Sequence, residues 1–341
     1  MPYFVVSETS VQSLSMRDLE HVFNQSPFSR FMVRKEMVNR HHHMLSPYLS
    51  DTTAFMEKLR EWGSVITGSF ALSYILGKTN ITGSDMDIYV PYSNFEQMKV
   101  YLKDVEGYSE DAMVTRQRAE IARALAEQQD DAVERVLQGT LDYVSVPLDT
   151  GIVKVATLNK GSYKIDIIQN QSASALYAIT RFWSTLQMNY ISASGYCCAY
   201  PQTTFLLEGV INPHVMNRNM TPYEFVHPLI QKYERRGYAF RYNWYEPETA
   251  GCRLDHDHPF CPTKRRSFED GHSYYGTFGT EQELPSFNNT SGAVVSEWKV
   301  GWQLGGRHER TGYRLPAPAR AWHSVTGQGE KRVLYTLDGF L

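Results

Sequence analysis

The chain has 341 residues, which suits two domains or one domain with a large elaboration. Its 42% apolar content is that of an ordinary globular protein and excludes the disordered and fibrous classes. Its 34 lysines and arginines are balanced by 37 aspartates and glutamates, which argues against a broadly basic surface for nucleic acid but leaves room for a local patch.

The sequence shows neither a membrane span nor a secretion signal. No apolar run approaches the roughly 20 residues of a membrane helix, and the start, MPYFVVSETS, lacks the basic and apolar parts of a signal peptide. We therefore expect an intracellular protein, cytoplasmic or nuclear, with reduced cysteines and no membrane partner.

The first part of the chain is predicted to begin with helices. Apolar residues at helical spacing indicate a helix over 16–44 and a second one over 51–62. The short apolar run 65–67 is typical of a strand, and residues 70–76 resume as a helix. Alternation over 85–90, which stops at a proline, indicates another strand.

Helices and strands are both predicted in the next segment. Residues 94–104 and 109–138 are rich in Ala, Glu, Gln and Arg, which favours helices. The dipeptide Gly161-Ser162 predicts a hairpin turn. The strand-like segments around it are 141–146, 151–158 and 162–168.

The composition and the hydrophobic periodicity of the sequence change near residue 172 and again near residue 237. The first of these regions is predicted to be mainly helical with a strand near 184–192, and the second is rich in Gly, Pro and aromatic residues. We expect an α+β fold with a mixed sheet, an inserted helical segment, and a helical, then β-rich, C-terminal region. The expected parts are a helical segment 1–50, a core 51–172 with the insertion 109–138, a mainly helical region 173–236 and a β/loop region 237–341.

The segment VITGSFALSYIL carries the first candidate ligand-binding feature. A strand that runs through Gly68 and Ser69 into a helix presents the free backbone N–H groups of a helix N-terminus. The glycine lets a phosphate approach the backbone, and the serine hydroxyl adds a donor. This arrangement is typical of a phosphate site, although a Gly-Ser pair alone has little specificity.

Three aspartates on two predicted strands form the second feature. Asp85 and Asp87 are two positions apart, so both side chains project from one face of their strand. Two parallel carboxylates are costly unless a divalent cation neutralises them. In the later segment KIDII, Asp166 offers a third carboxylate, and Lys164 shares its face.

The order of these features resembles the nucleotidyltransferase superfamily, whose fold is that of DNA polymerase β. The shared pattern is a hydrophobic-Gly-Ser segment, a helix, Asp-x-Asp on a strand and a later lone Asp on a strand, within about residues 60–170. The segments GSFALS, SDMDIYVP, KYERRGY and CPTKRRSFED also resemble uncharacterised fungal members of the superfamily.

The resemblance implies a magnesium-dependent transfer of NMP from an NTP to an acceptor hydroxyl, with release of pyrophosphate. Two Mg²⁺ ions would lie between the aspartates and the triphosphate. The residues that the resemblance implies for catalysis and metal binding are Asp85, Asp87 and Asp166, and those it implies for the nucleotide phosphates are Gly68, Ser69 and Lys164.

Three alternatives to this interpretation stay open. Asp142 and Asp149 are rival third acids, and Asp166 is preferred because it lies mid-strand between apolar neighbours. The dipeptide Ser84-Asp85 is also typical of a turn or an N-cap, so the acids can simply be solvated residues that open a strand. The alternative function is a non-catalytic module that binds a ligand in the same cleft.

A second group of candidate metal ligands lies in ten residues of the C-terminal region. Cys252, His256, His258 and Cys261 could supply the four ligands of a zinc ion. Their spacing matches no standard zinc finger, so a reduced loop with scattered polar side chains is the alternative. A zinc-organised interaction protein is therefore a further alternative function.

Basic and aromatic residues interleave over 232–244. This pattern suits RNA or a nucleotide base, and it favours an RNA 3′ end as acceptor over a protein or a small molecule. The alternative is a helix end followed by a core strand in which Phe240, Tyr242 and Trp244 face inward. A second basic cluster at 264–266 is either a solvated loop or a contact for triphosphate or nucleic acid.

Overall fold

The structure is a computed structural model. It describes residues 11–78, 85–110, 151–216, 221–242, 258–261, 264–279, 284–287, 295, 298–304, 306–307, 314–315 and 321–325. Within these residues, no helix combines the length and the apolar character needed to cross a membrane.

Seven α-helices lie in the described residues. They are α1 (Met16–Phe23), α2 (Pro27–Leu45), α3 (Thr52–Glu61), α4 (Gly68–Leu76), α5 (Phe95–Asp104), α6 (Pro201–Thr204) and α7 (His227–Glu234). Short 3₁₀ turns lie between them, at Tyr92–Asn94, Ala178–Arg181, Thr185–Gln187, Pro213–Val215 and Glu224–Val226.

The strands of the described residues are mostly short. They are β1 (Val65–Thr67), β2 (Met86–Val90), β3 (Ser109–Glu110), β4 (Ile152–Lys160), β5 (Tyr163–Asn170), β6 (Asn189–Ile191), β7 (Gly195–Cys198), β8 (Glu208–Val210), β9 (Ala239–Arg241), β10 (Arg266–Ser267), β11 (Tyr274–Thr277), β12 (Ser286–Phe287), β13 (Trp298–Trp302), β14 (Gly306–Arg307), β15 (Arg314–Leu315) and β16 (Ala321–Val325).

A nine-stranded sheet forms the centre of the fold, in the order β12-β11-β7-β6-β1-β2-β5-β4-β3. Strands β2 and β5 run parallel, whereas β1 pairs antiparallel with β2 and β4 pairs antiparallel with β5. The smaller sheets are β10-β13-β16, β14-β15 and β8-β9. The predicted α+β class with a mixed sheet is confirmed.

The helix predicted over 16–44 is two helices. The break lies before α2, where the Ser26 hydroxyl accepts a hydrogen bond from the backbone N–H of Ser29 and Pro27 is the first helical residue. Proline has no N–H for a helix interior but fits the first turn, so this Ser-Pro pair starts a new helix. The helix predicted over 51–62 is confirmed as α3.

The elements predicted around the candidate phosphate and acid residues are confirmed. The chain passes from β1 directly into α4, and β2 follows with the predicted alternation. Strands β4 and β5 form the predicted hairpin, in which Lys160 pairs with Tyr163 across the turn. Gly161 has a φ of 60°, the left-handed conformation that such a two-residue turn requires.

The strand predicted near 184–192 in the region 173–236, predicted to be mainly helical, is confirmed as β6, but the region contains two further strands that were not predicted. Its described residues contain β6, β7 and β8 beside short helical turns, and α7 is their longest helix. All four residues of β7 are buried, so the alternation that indicates a strand is absent from its sequence. Strands β6 and β7 extend the central sheet, which continues beyond residue 172.

The segment predicted as an inserted helix, 109–138, starts differently from the prediction. Residues 109–110 form β3, which pairs with β4 at the edge of the sheet. Residues 111–138 and the strand predicted over 141–146 lie outside the described residues.

The two faces of the central sheet carry different cores. Met86 and Ile88 belong to a core formed with the N-terminal helices α1 to α5. On the other face, Val65, Tyr89 and Ile168 pack with residues of the 175–200 segment and with C-terminal residues. Because side chains alternate along β2 and β5, the aspartates of these strands lie on this second face.

Candidate active site

Asp87 and Asp166 are neighbours across the parallel strands β2 and β5. They are register partners, so their side chains leave the same face of the sheet from backbones about 4.8 Å apart. Asp87 is 8% exposed and Asp166 is 0% exposed. Two carboxylates that lie so close and so deep need compensation by donors or cations.

Gly68 lies directly against the carboxylate of Asp87. Its φ of +68° is left-handed, and a Cβ at this position would lie 2.2 Å from Asp87 Oδ2. A side chain here would therefore be excluded both by backbone strain and by collision with the acid. The glycine of the predicted phosphate-binding segment is thus explained by the close approach of the first acid strand.

The N-terminus of α4 opens toward solvent at Ser69. All other residues of this helix are buried, and Ser69 is half-buried. The N-cap residue Thr67 makes no side-chain hydrogen bond to the first turn; its hydroxyl donates to the backbone oxygen of Asn189 instead. A helix N-terminus with such an opening carries partial positive charge that favours an anion.

Thr157 contacts the carboxylate of Asp166, the inner acid of the site, and no role for Thr157 was predicted from the sequence. It is the register partner of Asp166 on the antiparallel side, and its hydroxyl donates to Asp166 Oδ1 at 2.6 Å. Thr157 is 1% exposed, so this hydrogen bond is shielded from water. The donor supplies part of the compensation that the buried carboxylate needs.

Lys164 bridges the outer acid, Asp85, and the inner acid, Asp166. Its Nζ lies 2.7 Å from Asp85 Oδ2 and 3.4 Å from Asp166 Oδ2. The side chains of Lys164 and Asp85 are 29% and 35% exposed, whereas that of Asp166 is fully buried. The structure therefore brings all three predicted acids and the lysine to one end of β2 and β5.

Tyr89 lies deeper on the same face of β2 and was also missed. Burial raises the pKa of its phenol well above the ordinary value, and the negative charges of Asp87 and Asp166 act in the same direction. The phenol therefore remains protonated, and its ring packs edge-to-face on Phe182. Sequence alternation placed Tyr89 on the acid face of β2, which was the available signal.

The donor chemistry of this site fits magnesium, but its arrangement is incomplete. Asp85, Asp87 and Asp166 offer only carboxylate oxygens, the ligands that magnesium prefers. The absence of a side chain at Gly68 lets the Asp87 carboxylate lie directly against the start of α4. Among the described residues, however, no group of three or more His, Cys, Asp or Glu side chains is arranged to hold a metal ion. Instead, the Asp85 carboxylate is engaged by a lysine.

The rival third acids and half of the zinc candidates lie outside the described residues. These are Asp142, Asp149, Cys252 and His256. Of the remaining zinc candidates, His258 accepts a hydrogen bond from the backbone N–H of Phe260 at its Nδ1 atom, and Cys261 is a buried cysteine. The zinc site stays a prediction from the sequence.

The interleaved basic and aromatic segment is largely structural in its described part. Phe240 is half-buried against Trp183, as expected for an inward-facing residue, whereas Tyr242 is 46% exposed, so its predicted inward orientation is wrong. Arg241 forms an ion pair of 2.6 Å with Glu208. Residue 244 lies outside the described residues.

Arg266 of the second basic cluster is a core residue. It is 1% exposed, pairs with Asp270 at 2.6 Å and donates to the backbone oxygen of Ala199. Its guanidinium also lies over the rings of Tyr200 and Trp302. The interpretation of Arg266 as a phosphate or nucleic-acid contact is therefore wrong, because its donors serve the fold.

Comparisons with known proteins found no match for this chain. No protein-family model matches the chain, no curated protein matches it, and no solved structure matches it.

Proposed function

We propose that the chain is a magnesium-dependent nucleotidyltransferase with a polymerase β-like core. The observation that carries the proposal is the pairing of Asp87 with Asp166 beside Gly68 at the N-terminus of α4. Carboxylates suited to magnesium thus lie next to backbone N–H groups suited to phosphate. The sequence resemblance over about residues 60–170 supports the same reaction class.

In the proposed reaction, an acceptor hydroxyl attacks the α-phosphorus of an NTP. The bond from this phosphorus to the oxygen that bridges to the β-phosphate breaks, and pyrophosphate leaves. Gly68 and Ser69 would hold the β- and γ-phosphates, and the proton of the hydroxyl would pass to Asp166. Magnesium held by Asp85, Asp87 and Asp166 would supply charge neutralisation and alignment.

We propose an RNA 3′ end as the first acceptor to test, followed by protein hydroxyls and small molecules. Arg235 and Arg236 are exposed at the end of α7, where they are available to phosphates. Buried aromatic rings lie beside them: Arg236 lies 5.5 Å from the ring centroid of Tyr233. Exposed arginines at this position support a polyanionic acceptor.

The test is transfer of label from α-³²P-labelled NTPs to total RNA or lysate in the presence of Mg²⁺. We expect transfer by the wild type. The rate should fall at least about 100-fold in Asp87→Asn and in Asp166→Asn, because each change removes a negative charge that holds magnesium, and the metal stabilises the transition state by several kcal/mol. Asp104→Asn is the matched control, since Asp104 is an exposed aspartate at the end of α5. It should leave transfer unchanged.

The proposal is overturned if the wild type transfers label to no acceptor class. Equal activity in the wild type and in both site variants would also overturn it, because the activity would then come from elsewhere.

A non-catalytic nucleotide-binding module is the second candidate. It is favoured by one observation: Lys164 already bridges Asp85 and Asp166, and a complete metal-ligand group is not found among the described residues. The transfer assay together with a measurement of magnesium-dependent NTP binding separates the two functions, because a binding module would bind NTP with no transfer.

A further inference from the structure

Lys164 lies between two of the carboxylates that we propose as magnesium ligands. Lys164 Nζ contacts an oxygen of Asp85 at 2.7 Å and one of Asp166 at 3.4 Å. Between these two carboxylates, the protein itself therefore provides the positive charge.

The sheet register holds the lysine in this position. Met86 pairs with Ile165, so Asp85 and Lys164 come one position earlier on the two parallel strands and face each other. Lys164 lies two residues before Asp166 and shares its face of β5. On the other side, its register partner in β4 is Asn159, which is uncharged.

An ammonium and a dication cannot both use the same carboxylate oxygens. Two positive charges a few ångströms apart repel strongly, and more so where one carboxylate is fully buried. Asp85, which is partly exposed, would have to leave Lys164 to join Asp87 on a metal ion.

We propose that Lys164 is an internal counter-ion that blocks metal binding in the nucleotide-free protein and makes it depend on nucleotide. The triphosphate brings negative charge to the N-terminus of α4, offers the displaced ammonium a new partner and so frees Asp85 and Asp166 for magnesium. This role rests on the proposed nucleotidyltransferase function, and it makes Lys164 a positioning residue for the metal.

The test measures Mn²⁺ binding by electron paramagnetic resonance, with and without a non-hydrolysable ATP analogue. Without nucleotide, we expect the wild type to bind Mn²⁺ weakly, and Lys164→Met and Lys164→Gln to bind it at least about tenfold more tightly because the competing charge is gone. The analogue should strengthen Mn²⁺ binding much more in the wild type than in these variants. Lys164→Arg keeps the charge and should behave like the wild type.

The matched control is Lys58→Met, which removes one lysine from an exposed ion pair with Glu61 on α3. It should leave Mn²⁺ affinity unchanged, and circular dichroism of each variant checks folding. The role of Lys164 is overturned if both neutral variants fold and bind Mn²⁺ no more tightly than the wild type, which itself binds metal and nucleotide. Absence of metal binding in every protein, even with nucleotide, overturns the proposed function as well.

Discussion

Thr157 shows how much of the candidate site depends on single buried contacts. Its hydroxyl lies 2.6 Å from Asp166 Oδ1, and both residues are almost completely buried. A buried carboxylate that loses a donor keeps its desolvation cost without the hydrogen bond that offsets it. Thr157 therefore both stabilises the sheet and fixes the orientation of the inner acid.

We predict that Thr157→Val destabilises the protein by about 1–3 kcal/mol, because valine keeps the shape of threonine but not its donor. The measurement is urea unfolding near neutral pH. Thr157→Ser keeps the hydroxyl and is the control, expected to lose less stability than the valine variant. If valine and serine at this position were equally stable, the hydrogen bond to Asp166 would have no stabilising role.

At the scale of elements, Arg40 ties α2 to α4. Its Nε pairs with Glu36 Oε1 at 2.9 Å, and its Nη1 donates to the backbone oxygen of Tyr74 at 3.2 Å, near the C-terminal end of α4. Burial raises the pKa of Glu36, and the charge of Arg40 opposes this rise. The helix that presents Gly68 is thus anchored at its far end by a buried cation.

We predict that Arg40→Met costs about 3–5 kcal/mol of stability near neutral pH, since Glu36 would be left buried without its partner. The double variant Glu36→Gln/Arg40→Met should recover a part of this loss. Urea unfolding of the wild type and the variants gives both values. A double variant less stable than Arg40→Met alone would contradict this explanation.

Among the elements near the candidate site, some could be predicted from the sequence and others could not. The 65–90 segment carries its own signals, in the alternation before Pro91 and the glycine at the start of α4. Strand β7 carries none, because a four-residue strand in which every residue is buried lacks periodicity. Its identity as a strand comes from pairing with β6 and β11.

At the scale of the whole molecule, stability is tied to pH through buried histidines. His214 is 5% exposed, and its Nε2 hydrogen-bonds to the backbone oxygen of Arg181 at 2.9 Å. Burial, assisted by the positive charge of Arg181, lowers the pKa of His214 to about 4. Burial likewise lowers the pKa of His41 to about 4.

The sign of this pH effect follows from proton binding. As pH falls below about 6.5, histidine is protonated in the unfolded chain, whereas His214 stays neutral in the folded protein until about pH 4. The unfolded state therefore binds more protons in this window, and stability decreases as pH decreases. We expect His214 to account for about 2 kcal/mol of the stability lost between pH 7 and pH 5.

The measurement is the free energy of unfolding in urea at several pH values across this window. His214→Gln can donate to the Arg181 carbonyl but does not titrate, so its stability should decrease less with acidification than that of the wild type. Parallel pH curves for the two proteins would show that His214 is not the group responsible.

The sequence by itself determined the local elements around the candidate site, because the glycine, the alternation of Asp85 and Asp87 and the helical periods are signals between residues close together in the chain. Only the tertiary structure decided that β2 and β5 are parallel neighbours, that Asp87 pairs with Asp166, and that Lys164 meets Asp85 across 79 residues. Such contacts follow from strand pairing and from the burial of both sheet faces, which local periodicity does not encode. The near-balanced charge of the chain therefore gave no indication of the local cluster in which Lys164 lies between Asp85 and Asp166.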